Sequence, residues 1–114
     1  MPIDSVGSSN GWDLNDLTST TQPFMRVIDA FDVNDVALRI VRSGGVTSSL
    51  VLPGSSNVMG GQAVVIKMKN SILPQDLLFP NTTKFLKFAI GQNPIRNGQR
   101  LNRAPQSRVN LIFF

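Results

Sequence analysis

Residues 44–69 read GGVTSSLVLPGSSNVMGGQAVVIKMK. Two stretches rich in aliphatic and β-branched residues, 46–52 and 63–68, flank a loop of Gly, Ser and Asn, and this composition predicts strand, loop and strand. Pro53 and Gly54 end the first strand, because proline cannot donate to a strand ladder and glycine opens a turn. Loops held on a rigid scaffold often carry binding or catalytic residues. We therefore look for function in this loop first.

The residues ahead of the loop predict a helix over 35–43. Asp32 or Asn34 can cap it, and Asp35 places negative charge at its N-terminus. One apolar face recurs at helical spacing, formed by Val36, Ala37, Ile40 and Val41. Gly44 is placed to end the helix with positive φ. A helix that leads at once into a buried strand is the αβ half of a βαβ unit, and no convincing strand precedes residue 34, so the chain reads as part of a larger fold.

The remaining segments divide the chain into three parts. Residues 1–23 are predicted to be irregular, 24–95 to form the α/β region, and 96–114 to form an Arg-rich irregular tail. Within the middle part, 24–31 fits a short helix or an extended connection equally well. A second helix is predicted over 83–90, capped by Thr82 or Thr83 and ended by Gly91.

The net charge of +4 is unevenly distributed. Six of the seven acidic residues lie in the first 35 positions, whereas the last 20 contain Arg96, Arg100, Arg103 and Arg108. Such a tail raises the possibility of a small, non-enzymatic basic protein that binds nucleic acid or another anionic partner. No aromatic residues alternate with these arginines to stack on bases, so a solvated segment is the favoured interpretation and nucleic-acid binding the alternative.

The residue inventory excludes most catalytic chemistry within the chain itself. There is no His, Cys or Glu, so Ser55 lacks an activating base and no zinc site can be assembled. The spacing of Asp29, Asp32 and Asp35 fits helix capping better than a calcium loop. No apolar run is long enough to cross a membrane, and Met1 does not begin a secretory signal. We predict no catalytic residue and no metal ligand.

The loop LPGSSNVMGGQ leaves two interpretations open. Backbone N–H groups of its glycines and Ser55 could approach an anion, as in phosphate-binding loops. Neither the P-loop pattern nor GxGxxG is present, and a tight turn whose Ser and Asn satisfy their own backbone is the favoured interpretation, with the ligand loop as the alternative.

Three longer stretches resemble a known family. Residues 26–69, RVIDAFDVNDVALRIVRSGGVTSSLVLPGSSNVMGGQAVVIKMK, are similar to the early barrel region of the amidohydrolase superfamily, in particular imidazolonepropionase-like or carbohydrate esterase family 9-type proteins. FLKFAIGQNPIR at 85–96 resembles their KMACGENPKR stretch, and APQSRVN at 104–110 resembles their APSTRMG. Gln92 stands where these relatives have Glu, and Lys67 matches a recurring lysine whose role we do not assign.

The resemblance implies a fragment of a metal-dependent (β/α)₈ barrel, covering roughly the second strand and its neighbours. Complete relatives hydrolyse C–N bonds, or related ester and amide bonds, with a metal-activated water. Their His-x-His pair is expected before residue 1 and their other ligands beyond residue 114, so this chain alone is expected to be inactive and to hold no cofactor, whereas complete relatives bind a zinc-type divalent ion. In such a relative the loop would line the mouth of the active site, and its substrate-loop candidates are Gly54, Ser55, Asn57, Gly60, Gly61 and Gln62.

The resemblance also sets the expected partners. Complete relatives bind a small-molecule substrate, and we expect no membrane association. A barrel fragment leaves strand edges unpaired, so we expect the isolated chain to self-associate.

Overall fold

The computed structural model describes residues 15–103. Along these residues, two α-helices, three β-strands and two short 3₁₀ helices follow one another: 3₁₀ Val27–Asp29, α1 Val36–Ser43, β1 Ser48–Val51, β2 Met59–Lys67, 3₁₀ Pro74–Leu77, β3 Phe85–Phe88 and α2 Gln92–Arg100. Within this range, no helix has the length and apolar character needed to cross a membrane.

The three strands form one antiparallel sheet with β2 in the centre. β1 pairs with the second half of β2, from Ser48 opposite Lys67 to Val51 opposite Val64. β3 pairs with the first half, and a bulge between Met59 and Gly61 shifts the register there. The α/β class is confirmed. The predicted helix followed by a strand is present as α1 and β1, but among residues 15–103 β1 pairs only with the antiparallel β2, so no parallel βαβ pairing is seen in this range.

Helix α1 lies where the sequence predicts it. The Asp35 carboxylate caps it by accepting a hydrogen bond from the Ala37 N–H at 2.8 Å, which satisfies one of the N–H groups left free at a helix start. Gly44 ends the helix as predicted, but its predicted positive φ is wrong: φ is −77° at Gly44, and the following Gly45 takes the positive value of 89°.

The predicted helix over 83–90 is wrong. Residues 85–88 form β3 instead, because they pair with the start of β2. Gly91 precedes a helix rather than ending one, and α2 runs through Arg96 to Arg100. The beginning of the predicted irregular tail is therefore helical, while the rest of that tail after Arg103, including Arg108, lies outside the described residues.

The core lies between β2 and the segments that cross it. Its buried side chains come from four separate segments of the chain: Ile28, Phe31, Val51, Ile66, Met68 and Leu77. The 24–31 segment, which the sequence left open, contains the 3₁₀ helix that supplies Ile28. Upstream of it the chain runs beside β2 through parallel bridges that join Thr21 to Met59 and Arg26 to Gln62.

Candidate functional site

The loop between β1 and β2 is shorter than its sequence suggests. β2 begins at Met59 rather than near Ala63, so Gly60, Gly61 and Gln62 are strand residues. The irregular part is 52–58, and it contains the other three candidates, Gly54, Ser55 and Asn57. The six candidates therefore lie near one another because they follow one another along the chain, through the loop and into the start of β2.

The glycines of the loop motif allow other parts of the chain to come close. Gly61 has a φ of 113°, and a Cβ there would overlap the backbone carbonyl of Met25. The next residue, Gln62, donates its N–H to that same carbonyl at 2.7 Å. A Cβ on Gly54 would overlap the Asn15 side chain, and one on Gly60 would lie 3.0 Å from the Gly54 carbonyl oxygen. Gly60 and Gly61 therefore allow close packing against backbone, and Gly54 makes room for the Asn15 side chain.

The segment at Asn15 and Asp16 holds one side of the loop. The Ser56 N–H donates to Asn15 Oδ1 at 2.9 Å. Asn57 is 2% exposed, and its Nδ2 donates to the Asp16 carbonyl oxygen. Hydrogen bonds from Thr18 to the Asp16 carboxylate lower the pKa of that side chain. Asn57 is thus an anchor of the loop, and its amide faces the protein interior.

Helix α2 holds the other side. Asn93 Nδ2 donates to Ser55 Oγ at 2.7 Å, and Asn97 Nδ2 donates to Ser56 Oγ at 3.0 Å. The two asparagines are four residues apart and so lie on one face of the helix. Pro94 and Gly98, which repeat the same spacing, are buried. Two successive serines of the loop are therefore paired with two successive turns of α2.

Lys87, a residue of β3, contacts the loop from the side on which the sheet lies. Its side chain is half-buried, and Nζ donates to the Pro53 carbonyl oxygen at 3.2 Å. Burial lowers the pKa of Lys87 below the ordinary lysine value, because a partly dehydrated site disfavours the charged form. A cation close to the loop is a feature that the sequence did not reveal.

The residues that fix the loop were missed because they are remote in the sequence. Asn15 and Asp16 bond to residues 41 positions away, and Asn93 and Asn97 to residues 38 and 41 positions away. No periodicity connects positions so far apart. The one available signal was the repeat of Asn at 93 and 97, which places two amides on one face if the segment is helical.

An open cleft of about 670 Å³ adjoins the loop. Its lining includes Asn15, Asp16 and Pro53 from the loop junction, together with Phe24, Arg26 and Asp29. Arg26 and Asp29 form an exposed ion pair at 2.8 Å, which raises the pKa of the Arg26 guanidinium. The cleft is thus lined by apolar side chains, such as Phe24, beside the charged pair of Arg26 and Asp29.

The donor set of this chain does not fit a zinc ion. The whole sequence lacks His, Cys and Glu, which together with Asp are the ligands zinc uses. In the part of the chain that the structure describes, no three potential ligands come together.

Two comparisons with known proteins agree. The chain is 35% identical over 119 residues to the amidohydrolase tasK of Hapsidospora irregularis, and the match covers 94% of this chain and 12% of that protein. The fold matches the crystal structure of an amidohydrolase from Thermotoga maritima MSB8 with a TM-score of 0.83 and 31% identity, covering 97% of this chain and 29% of that one. No family model matches the chain.

Neither relative supports the alternative of a nucleic-acid-binding protein, since both are named as amidohydrolases. The chain spans less than a third of either relative. By sequence and by fold, it is homologous to one segment of an amidohydrolase.

Proposed function

We propose that this chain forms a segment of an amidohydrolase that shapes one side of the active-site mouth. Because both strand pairs of its sheet are antiparallel, β1, β2 and β3 would not be neighbouring strands of the parallel barrel. In the assembled (β/α)₈ barrel, a metal-activated water would hydrolyse a C–N bond, or a related amide or ester bond, of a small-molecule substrate. The observation that carries the proposal is the structural match to the Thermotoga amidohydrolase, which extends over 97% of this chain with a TM-score of 0.83. The metal ligands would come from polypeptide outside the matched segment.

In this role the chain holds an active-site loop in place and supplies no catalytic group. Loop 52–58 is fixed from three sides by Asn15 and Asp16, by α2 and by Lys87. A loop held in this way presents Gly54 and Ser55 in one geometry, which lowers the entropy lost when a substrate is bound. The other candidates, in β2 and in the interior, would support that geometry.

The test is a chimera of the Thermotoga relative in which the superimposed segment is replaced by this chain. We expect the purified chimera to retain the metal content of the parent enzyme and measurable hydrolysis of the parent's substrate. A chimera that carries Gly61→Val is the matched control, because a branched side chain cannot follow the backbone there. A folded chimera without metal and without hydrolysis would contradict the proposal.

The isolated chain supplies the converse test. We expect no hydrolysis of amide or ester substrates by it, with or without added Zn²⁺, because it offers no ligand set. Zinc-dependent turnover that survives purification to homogeneity would contradict this expectation.

A further inference from the structure

The two asparagines that join α2 to the loop differ in the residue that follows each of them. Both donate a side-chain N–H to a serine of the loop. Asn93 is followed by Pro94, whereas Asn97 is followed by Gly98. Proline has no backbone N–H, and glycine has no Cβ that would hinder a reaction at its own nitrogen. The two contacts are therefore alike in geometry and unlike in chemical stability.

Asparagine is a labile residue, and before glycine it loses its side-chain amide without an enzyme. Once the Gly98 N–H has given its proton to base in the solvent, the nitrogen attacks Asn97 Cγ and closes a five-membered succinimide ring. The bond from Cγ to Nδ2 breaks, and the amide nitrogen takes up a proton and leaves as ammonia. Water then opens the ring at either carbonyl carbon, which gives aspartate or isoaspartate. The net reaction consumes water and releases ammonia.

The folded helix holds this reaction back. Asn97 and Gly98 lie near the end of α2, and ring closure requires a backbone ψ outside the helical range. The Asn97 amide is also held by its hydrogen bond of 3.0 Å to Ser56 Oγ, and Gly98 is buried. The reaction therefore proceeds only when the last turn of α2 opens.

Several features favour such an opening. α2 has nine residues, includes Pro94 and Gly98, and begins after Gly91, which supplies no side-chain cap. Helices this short are marginal unless tertiary packing holds them. Among residues 15–103, α2 makes no extensive contact with another helix or strand, so the asparagine pairs are a large part of its attachment. Weakly attached elements open at free energies well below that of global unfolding.

We propose that Asn97–Gly98 is a site of spontaneous deamidation in the native chain, and that the hydrogen bond to Ser56 limits its rate. Both products lack the Nδ2 donor, and isoaspartate also lengthens the main chain within α2. Deamidation therefore weakens the attachment of this end of α2 to the loop, while the Asn93 contact is retained. The inference goes beyond the proposed function and does not depend on it, because it concerns the covalent chemistry of this chain alone.

The test follows the 114-residue chain in a mildly alkaline buffer by peptide mapping with mass spectrometry. Mapping is required because a second Asn-Gly pair, at 10–11, lies outside the described residues. We expect conversion at Asn97 and none at Asn93 over the same period, since Pro94 lacks the attacking N–H. In urea that unfolds the chain, conversion at Asn97 should be at least about tenfold faster. No conversion at Asn97 in the native chain, or equal rates with and without urea, would overturn the inference.

Ser56→Ala tests the link to the loop. Loss of the hydrogen bond raises the open population of the last turn, so we expect conversion at Asn97 to become about two- to tenfold faster. Ser48→Ala, at an exposed position in β1, is the matched control and should leave the rate unchanged. A folded Ser56→Ala variant that converts at the parental rate would overturn the role of the hydrogen bond. If circular dichroism shows that this variant is unfolded, the comparison of Asn97 with Asn93 in the parent chain decides.

Discussion

At the scale of single residues, Gly61 shows how the loop motif acts through packing. Its φ of 113° is strained for any residue with a Cβ, and that Cβ would overlap the Met25 carbonyl. We expect Gly61→Ala to lower the free energy of unfolding by about 2–4 kcal/mol. Gly91→Ala is the control, because nothing lies within 4 Å of its Cβ position; we expect a loss below about 1 kcal/mol. Urea denaturation of both variants measures the two free energies of unfolding. Equal losses would contradict the packing explanation.

Asn57 tests whether the loop depends on a buried amide. Replacement by Ala leaves the Asp16 carbonyl without its donor and opens a small cavity, so we expect a loss of about 1–3 kcal/mol in the free energy of unfolding. Asn34→Ala, at an exposed position, is the matched control and should change stability by less than about 0.5 kcal/mol. If both substitutions are equally tolerated, Asn57 is not an anchor.

Lys87 gives stability a dependence on pH. Burial lowers its pKa in the folded chain, so the unfolded chain binds the proton more tightly. The free energy of unfolding therefore rises with pH between the lowered pKa and the ordinary lysine value of about 10.4. We expect Lys87→Met to show a smaller rise than the parent when denaturation is followed from about pH 8 to about pH 10. Lys84→Met, an exposed lysine just before β3, is the control for the lost charge, and equal slopes for the two variants would rule out Lys87 as the source.

At the scale of elements, α2 is attached to the loop by the pairs Asn93 to Ser55 and Asn97 to Ser56. We expect Asn97→Ala to cost about 0.5–1.5 kcal/mol and to speed hydrogen exchange of the α2 backbone amides. Gln99→Ala, on an exposed position of the same helix, should leave the exchange unchanged. In a double-mutant cycle, Ser56→Ala should add little once Asn97 is gone; fully additive losses would show that the pair does not interact.

The sequence predicted the elements whose signals are local and failed where the deciding contacts are remote. α1 was predictable because acidic residues precede it and apolar residues recur at helical spacing within it, although the cap is Asp35 rather than Asp32 or Asn34. Of the predicted apolar face, Ala37 is buried, whereas Val36 and Ile40 are exposed. β3 was mistaken for a helix because Phe85, Phe88 and Ala89 recur at helical spacing, and only its pairing with β2 decides between the two. α2 was missed because it contains Pro94 and Gly98, which have poor helix propensity. Pro94 is tolerated because it lies in the first turn, where its missing N–H would have no helical partner.

The candidate site followed the same rule. The motif located the loop, since β1 ends and β2 begins around it. It could not show that the glycines face backbone, or that Asn57 points inward, because Met25 and Asp16 are remote neighbours in the sequence.

At the scale of the whole molecule, the exposed apolar side chains predict association of the isolated chain. Phe24, Ile72 and Leu73 are 90%, 88% and 56% exposed, and strands β1 and β3 add further apolar surface. We expect light scattering to show heterogeneous, concentration-dependent association rather than a defined oligomer. Added salt should not disperse it, whereas association through the arginines would weaken. A concentration-independent monomer with a sharp melt would contradict the prediction.

The hydrogen bonds that fix the loop also have a consequence for synthesis. The bonded residues are 38 to 41 positions apart in the sequence, so forming these bonds requires the closure of long loops, an entropy cost that local contacts avoid. The chain grows from its N-terminus at about 5–20 residues per second. Asn93 and Asn97 are therefore synthesised after the whole of the loop that they bind. Until both asparagines are available, the hydroxyl groups of Ser55 and Ser56 lack their hydrogen bonds to α2. A released chain truncated before residue 93 should therefore be a better substrate for chaperones and proteases than one truncated after residue 103.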